Sequence, residues 1–457
     1  MDRKRIIIGG SRSGVGKTTV SLALMAAFNA RDYRVQPFKV GPDYIDPGFH
    51  NLAAETLSYN LDSYFLQGPA LKERFINKSE TADISILEGV MGLFDGKGKE
   101  MTSSTAEIAK KLKAPVILVI DAAKMGQSGA ALVYGYKNFD PDLNLKGVII
   151  NNVGSRRHYQ ILKEVLEADP VNVDLLGYLP RIEDLKLPER HLGLVPVHES
   201  QQLKSYFNRL QGLAEEYFDL DKIYEIASSG EDIIKPELPN SPEPEFTKIK
   251  VGVAYDQAFN FYYQSDLDLM EELGVELTYF SPLKAEKVPK VDALYFGGGF
   301  PESFLSELAD NKSFKIDLNE KVLDGLPVYG ECGGLMYLSN LVKDINGNAY
   351  QMAGLLDLEI EMTDKLQAMG YREIEALKDN LLLEEGQKAK GHLFHYSQVT
   401  KKADMIPLNY KIDQRREGYS FSDNLLASYL HINFAAQPEV LRRFLKKAEN
   451  YKSLVQR

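Results

Sequence analysis

Ile6-Ile7-Ile8-Gly9-Gly10-Ser11-Arg12-Ser13-Gly14-Val15-Gly16-Lys17-Thr18-Thr19 runs from a β-branched strand pattern into a helix-forming one. Its glycines let successive backbone N–H groups turn inward around phosphate oxygens, and the helix that follows adds the partial positive charge of its N-terminus. Lys17 is spaced to reach β- and γ-phosphates, and Thr18 offers a hydroxyl to Mg²⁺. The full pattern wants a glycine five residues before Gly16, where this chain has Ser11. Strand context with Gly14, Gly16, Lys17 and Thr18 still specifies a phosphate loop. Ser13, Gly14, Gly16, Lys17, Thr18 and Thr19 are the predicted ATP contacts, with Thr18 and Glu88 as metal ligands. Arg12 reads equally well as a phosphate ligand or as a solvated side chain.

Outward from that loop, residues 1–227 alternate short apolar runs with helical patterns. The runs are Arg5–Ile8, Arg34–Val40, Ile84–Leu87, Pro115–Ile120, Gly147–Asn151 and Leu175–Tyr178, and Thr18–Arg31 and Thr105–Leu112 have helical spacing. Such alternation predicts a parallel sheet covered on both faces, with its ligand edge at the carboxyl ends of the strands. Acids collect there: Glu88 closes Ile84–Leu87, Asp121 closes Val116–Ile120, Asp95 follows in Gly92-Leu93-Phe94-Asp95, and Asp43 and Asp46 lie beyond Val40. One such acid is as readily a helix cap as a ligand. Several around one phosphate loop point to Mg²⁺ and phosphate chemistry.

Residues 228–247 hold Pro236, Pro239, Pro242 and Pro244 with little apolar periodicity, and read as a linker. A second α/β unit is predicted over 248–450, with strands at Lys250–Ala254, Glu276–Phe280, Ala293–Phe296, Pro327–Tyr329, Gly354–Glu361 and Asn424–Asn433. Within it, Gly330-Glu331-Cys332-Gly333-Gly334 follows a strand and opens a helix. That is the form of a nucleophile elbow with cysteine in place of serine. A helix N-terminus favours the thiolate, whereas an inert buried cysteine would have apolar neighbours. His431, in Tyr429-Leu430-His431-Ile432, is the favoured base. His392 and His395 fall on what reads as extended chain, facing opposite sides. His50, His158, His191 and His198 are read as structural or surface residues. Gly298, Gly299 and Gly333 are the oxyanion candidates, since backbone N–H groups beside the nucleophile can bind a developing oxyanion.

The composition narrows the classes further. At about 150 residues per domain, 457 residues suggest up to three, but large α/β units make two the better expectation. The net charge of −11 argues against non-specific nucleic-acid binding. A single cysteine excludes a disulfide framework and a cysteine-based zinc finger. The apolar run Ala114–Ala123 is interrupted by Asp121 and too short for a bilayer, and Ile6–Ile8 is too short for a signal-peptide core. The expected protein is cytoplasmic, with no membrane and no nucleic-acid partner. Oligomeric state is not legible.

Seven segments carry a resemblance over about residues 3–440: SGVGKTT (13–19), QPFKVGPDYIDPGFH (36–50), LEGVMGLFDG (87–96), RHLGLVP (190–196), GGGFPE (297–302), YGECGGLMYL (329–338) and SYLHINFA (428–435). Together they resemble the cobyrinic acid a,c-diamide synthase family. The resemblance implies an α/β protein of two doubly wound units. The first is a P-loop NTPase-like parallel sheet, and the second is a class I glutamine amidotransferase-like domain. It also implies ATP- and glutamine-dependent amidation of two acetate side chains of a corrinoid, with Mg²⁺ accompanying ATP. Asp43, Tyr44 and Asp95 would line the tetrapyrrole and phosphate region, Cys332 would be the nucleophile and His431 its activator.

Two departures stand out. Related amidotransferases place a glutamate two residues after the histidine, where this chain has Asn433. That implies a Cys–His dyad with slow glutamine hydrolysis, rising only when ATP and the acceptor bind. Many relatives also read HEFHYS where this chain has His392-Leu393-Phe394-His395-Tyr396-Ser397, so Leu393 is given no role. Two alternatives stay open: a sister amidase for nickel-sirohydrochlorin or other corrinoid carboxylates, and a partition-type ATPase switch carrying an inactive amidotransferase-like domain.

Overall fold

The computed structural model describes residues 3–98, 101–182, 201–234, 236 and 244–455. The segment RHLGLVP (190–196), with His191 and His198, lies outside them. The described residues divide into two compact units, one holding 3–182 and 201–234, the other 244–455.

The first unit is built on seven strands: β1 (Arg5–Gly10), β2 (Val35–Val40), β3 (Tyr59–Leu61), β4 (Ile84–Glu88), β5 (Val116–Asp121), β6 (Leu145–Val153) and β7 (Asp174–Pro180). They pair in the order β3-β2-β4-β1-β5-β6-β7, every pair parallel. Ile6, Ile7 and Ile8 are buried because β1 is central and covered on both faces. The expected parallel sheet is therefore present, with one addition. Tyr59–Leu61 is an edge strand of three residues, too short to leave a periodic signal. Since β1 lies between β4 and β5, the chain leaves its carboxyl end in one direction and later strands arrive from the other. That is where an open α/β sheet has a ligand crevice. Helix α1 (Lys17–Ala30) starts there, with Gly16 as its N-cap at φ 99°. This left-handed conformation suits glycine, and a β-carbon would meet the Asn151 amide at 2.2 Å.

The second unit begins with β8 (Lys250–Ala254), β9 (Glu276–Phe280), β10 (Ala293–Phe296) and β11 (Val328–Glu331). A small sheet follows, formed by β12 (Ser339–Lys343), β13 (Ala349–Gln351), β14 (Leu356–Met362) and, later in the chain, β17 (Ser397–Lys402). The main sheet adds β15 (Ala368–Ala376), β16 (Lys388–His395), β18 (Leu408–Ile412), β19 (Arg415–Phe421), β20 (Leu425–Ser428) and β21 (His431–Ile432). Its order is β21-β16-β15-β18-β19-β20-β11-β10-β8-β9. From β9 to β20 the pairing is parallel, and from β20 to β21 it is antiparallel. The doubly wound core is thus extended by an antiparallel half, which alternating, half-exposed strands signal weakly in sequence.

Two expectations change here. Asn424–Asn433 is not one strand. It breaks at Tyr429-Leu430 into β20, paired with β11, and β21, paired with β16. The ends of the expected linker at 228–247 also belong to the units. Helix Leu220–Ser228 and buried Ile233 complete the first, and the Arg5 guanidinium donates to the Glu231 carbonyl. Phe246 is buried in the core of the second, its amide donating to the Leu273 carbonyl at 2.8 Å.

Candidate active sites

In the first unit, the loop between β1 and α1 leaves Ser13 and Gly14 exposed and buries Lys17. Lys17 Nζ donates to the carbonyls of Met91 (2.5 Å) and Arg12 (3.4 Å). Thr18 Oγ1 donates to Glu88 Oε1 at 2.6 Å. The two predicted metal ligands are therefore in contact, joined across the ends of α1 and β4. Glu88 is fully buried and is the centre of a wider cluster. Its Oε1 also accepts from Lys39 Nζ at 2.8 Å, its Oε2 lies 2.7 Å from His50 Nε2, and Lys39 also bonds Asp46.

Lys39 and His50 were not predicted as site residues. His50, read as structural by default, is buried between Glu88 and Ser58. A lysine inside an apolar strand flanked by acids on both later loops was the available signal. Burial works against the charge on Glu88, but the Lys39 cation and the His50 bond overcome it and hold its carboxyl well below the usual range. Asp46 bears the opposite consequence. Burial and the Glu88 charge push it up to about 8, against the pull of Lys39. Lys17 is lowered by burial and then by the neighbouring Lys39 charge.

Asp43 Oδ1 accepts from the amides of Ile45 (2.8 Å) and Asp46 (2.9 Å), capping helix α2 (Ile45–Ala54), and Tyr44 is the N-cap residue of that helix. Asp95 is exposed and closes its own loop by accepting from Gly92 N at 2.9 Å. Arg12, mostly exposed, pairs with Asp121 at 3.3 Å. All these residues stand at the carboxyl ends of β1, β2, β4 and β5, around one phosphate loop.

In the second unit, β11 ends at Glu331 and helix α3 (Gly333–Leu338) begins one residue later. Cys332, between them, has φ 49° and ψ −97°. A non-glycine residue in this region is strained, as a nucleophile elbow requires. Cys332 is partly exposed, its amide donating to the Ser428 carbonyl at 2.7 Å. His431 is buried and close enough to Cys332 for the two side chains to interact. Its Nδ1 lies 3.4 Å from Glu331 Oε2.

That contact corrects the dyad expectation. Asn433 does not face the imidazole as an orienter. Its Oδ1 accepts from Ala436 N at 2.9 Å, capping a short turn. The acid beside His431 comes from the residue before the nucleophile. Burial opposes a charged imidazole, but the neighbouring Cys332 and Glu331 side chains prevail, raising His431 to about 10.

The glycines sort into two roles. Gly298 is bridged to Phe261, and its carbonyl accepts from Asn260 N (3.0 Å) and Phe261 N (3.1 Å). A β-carbon there would lie 2.6 Å from His431 Cε1, so this position admits the imidazole and is otherwise scaffold. Gly299 N lies 3.3 Å from where a Gly333 β-carbon would stand, which places these two backbones together beside Cys332. His395 stacks on Tyr429 at 3.8 Å, and His392 pairs in register with His431. Burial lowers His395 to about 4 and His392 to about 3, with the His431 charge adding to both.

Sequence comparison agrees with this two-site layout. Residues 6–195 match the CobQ/CobB/MinD/ParA nucleotide binding domain, and 250–439 match the CobB/CobQ-like glutamine amidotransferase domain. A cobyrinate a,c-diamide synthase of Caldanaerobacter subterraneus subsp. tengcongensis is 44% identical, covering 97% of this chain and 98% of its own. The chain belongs to the cobyrinate a,c-diamide synthase family. Other family members include proteins of Priestia megaterium (40% identical, 98% of each chain) and Archaeoglobus fulgidus (41%, 98% of each chain). As a member of this family the protein is a nucleotide-using, glutamine-dependent carbon–nitrogen ligase. Among the described residues no helix is long and apolar enough to cross a membrane.

Proposed function

We propose that the protein converts cobyrinate to cobyrinate a,c-diamide, using ATP in the first unit and ammonia from glutamine in the second. The observation that carries this reading is the co-occurrence of the Thr18–Glu88–Lys39 cluster behind a phosphate loop with the Cys332–His431 pair at an elbow. The acceptor is the one named for the relatives that align over nearly their whole length, the cobyrinate a,c-diamide synthases.

Ser13, Gly14, Gly16 and Thr19 shape the loop around the phosphates, and Lys17 leaves the Met91 and Arg12 carbonyls to reach them. Thr18 and Glu88 offer hard oxygens 2.6 Å apart, a donor set that fits Mg²⁺, which is held by one or two such groups plus phosphate oxygens. When bound, Mg²⁺ would neutralise charge on the transferring phosphoryl group. An acetate carboxylate of the acceptor attacks the γ-phosphate, releasing ADP and leaving an acyl phosphate. Ammonia then displaces phosphate to give the amide. Lys39, buried with its three donors spent on Asp46, Glu88 and the Gly89 carbonyl, would hold Glu88 in position behind the phosphate loop. Asp43, Tyr44 and Asp95 would border the acceptor.

In the second unit, the Cys332 thiolate attacks the glutamine carboxamide carbon. The C–N bond breaks as His431 passes its proton to the leaving nitrogen, giving ammonia and a glutamyl thioester. Water then attacks the thioester, its proton returns to His431, and glutamate leaves. Gly299 and Gly333 are the proposed donors to the intervening oxyanion.

The deciding experiment is product mass after incubation with ATP, Mg²⁺, glutamine and either cobyrinate or nickel-sirohydrochlorin. Two amides on cobyrinate are expected. Diamidation of nickel-sirohydrochlorin alone would move the protein to the sister reaction. ATP hydrolysis without any amidated product would leave only the switch reading.

A further inference from the structure

We infer that Glu331 is the positioning residue of the glutaminase site, completing a Cys332–His431–Glu331 triad whose acid precedes the nucleophile instead of following the base. This rests on the glutaminase reading of the second unit given above. Glu331 is buried, and three donors fix its carboxylate. Tyr329 Oη (2.9 Å) and Ile432 N (3.0 Å) donate to Oε1, and Tyr295 Oη (2.9 Å) donates to Oε2. Oε2 also faces His431 Nδ1 at 3.4 Å. That is an ion-pair distance longer than a good N–H···O bond, and such catalytic contacts commonly tighten once substrate is bound.

The arrangement does two things at once. An ionised carboxylate only accepts, so it selects the ring form with a proton on Nδ1 and turns Nε2 toward Cys332. By accepting from Ile432 N as well, it ties down the backbone next to His431. The position follows from the elbow. Backbone strain at Cys332 turns its side chain out at the strand end, while the preceding residue stays in β11 and points into the interior. There it meets β21, which begins three residues after Ser428, the residue opposite Glu331 on β20. Asn433, which stands where related enzymes keep their acid, is engaged in capping and leaves this role open.

A buried acid could instead serve only to pin β21 to β11, and the pH profile separates the two roles. In the full-length protein, Glu331→Gln should lower kcat for glutamine hydrolysis by about 10²-fold or more. KM for glutamine should change little. The alkaline limb of the profile should move down by about one unit or more, because one of the charges that keep His431 protonated is gone. Ammonia-dependent amidation should stay at the wild-type rate, and Glu331→Asp should recover part of the loss. The proposal fails if Glu331→Gln keeps wild-type kcat. It fails equally if kcat falls with no movement of the alkaline limb and Glu331→Asp is no better. If Glu331→Gln does not fold, the profile of Glu331→Asp decides by the same criterion. Retention of glutamine-dependent activity by Cys332→Ala would instead remove the underlying glutaminase reading.

Discussion

At the scale of single residues, the two sites use buried charge differently. Cys332 is needed only as the source of ammonia. Cys332→Ala should abolish glutamine-dependent product while free ammonia still supports amidation, measured as amide formed per ATP consumed. Lys17→Ala should lose turnover with both nitrogen sources, because both need the acyl phosphate. Lys39→Met should behave like Lys17→Ala in activity, and it should also affect stability. Breaking a buried ion pair costs about 3–5 kcal/mol when the orphaned charge has no relief. At neutral pH Asp46, raised to about 8, is already mostly protonated, so the charge that loses its partner is that of Glu88. The loss in urea denaturation should therefore reach about that range at neutral pH and grow as pH rises past 8, where Asp46 ionises only with Lys39 beside it. A pH-independent loss would mean that Asp46 does not ionise against Lys39.

Elements set the distances that those residues need. Strands β1 and β4 run parallel with Ile8 opposite Glu88, which brings the phosphate loop and the carboxylate to the same edge. In the second unit the GGGFPE turn after β10 lies against the base. Gly298→Ala would force a β-carbon within 2.6 Å of His431 Cε1, displacing the ring or the turn. Glutamine hydrolysis should fall at least about 10-fold, since small misplacements of a catalytic group are costly. Ammonia-dependent amidation should be unchanged. Normal glutaminase activity in this variant would show that the turn moves away without disturbing the base.

At the scale of the whole molecule, the expectation that glutamine hydrolysis waits for acceptor rested on an uncharged orienter at position 433. With Glu331 beside His431 that reason disappears. The free protein should hydrolyse glutamine measurably with neither ATP nor tetrapyrrole, assayed as glutamate released. Complete dependence on the acceptor would show that the triad geometry is not assembled at rest. Mg²⁺ with a non-hydrolysable ATP analogue at about 100 times its Kd should stabilise the first unit by about 2.7 kcal/mol. The Lys17→Ala variant should lose most of that gain, read as a thermal shift.

Local sequence was enough for the phosphate loop, the elbow and most parallel strands, because each is a short-range pattern: glycines at tight turns, β-branched runs bounded by breakers, helical spacing after them. It was also enough to put Cys332, Lys17, Thr18 and Glu88 at the carboxyl ends of their strands, because each lies in or beside a strand-ending motif. The antiparallel half of the second unit was not legible, since half-exposed strands dilute the apolar signal. Nor was the partner of His431. Six strand spacings of about 4.8 Å separate β11 from β21 along the sheet, roughly 29 Å if it were flat. Yet Ile432 N reaches Glu331 Oε1 at 3.0 Å. What brings them together is the parallel pairing of β20 with β11, which sets Ser428 opposite Glu331 with Ile432 only four residues further on, and such a long-range pairing is a property of the sheet, not of any one strand. The same holds for Lys39 and His50. They lie 49 and 38 residues from Glu88 and gather around it only because β2 pairs with β4 and helix α2 covers that edge. Burial then made the Lys39–Glu88 pairing obligatory, because neither of those charges could stay inside the unit without the other.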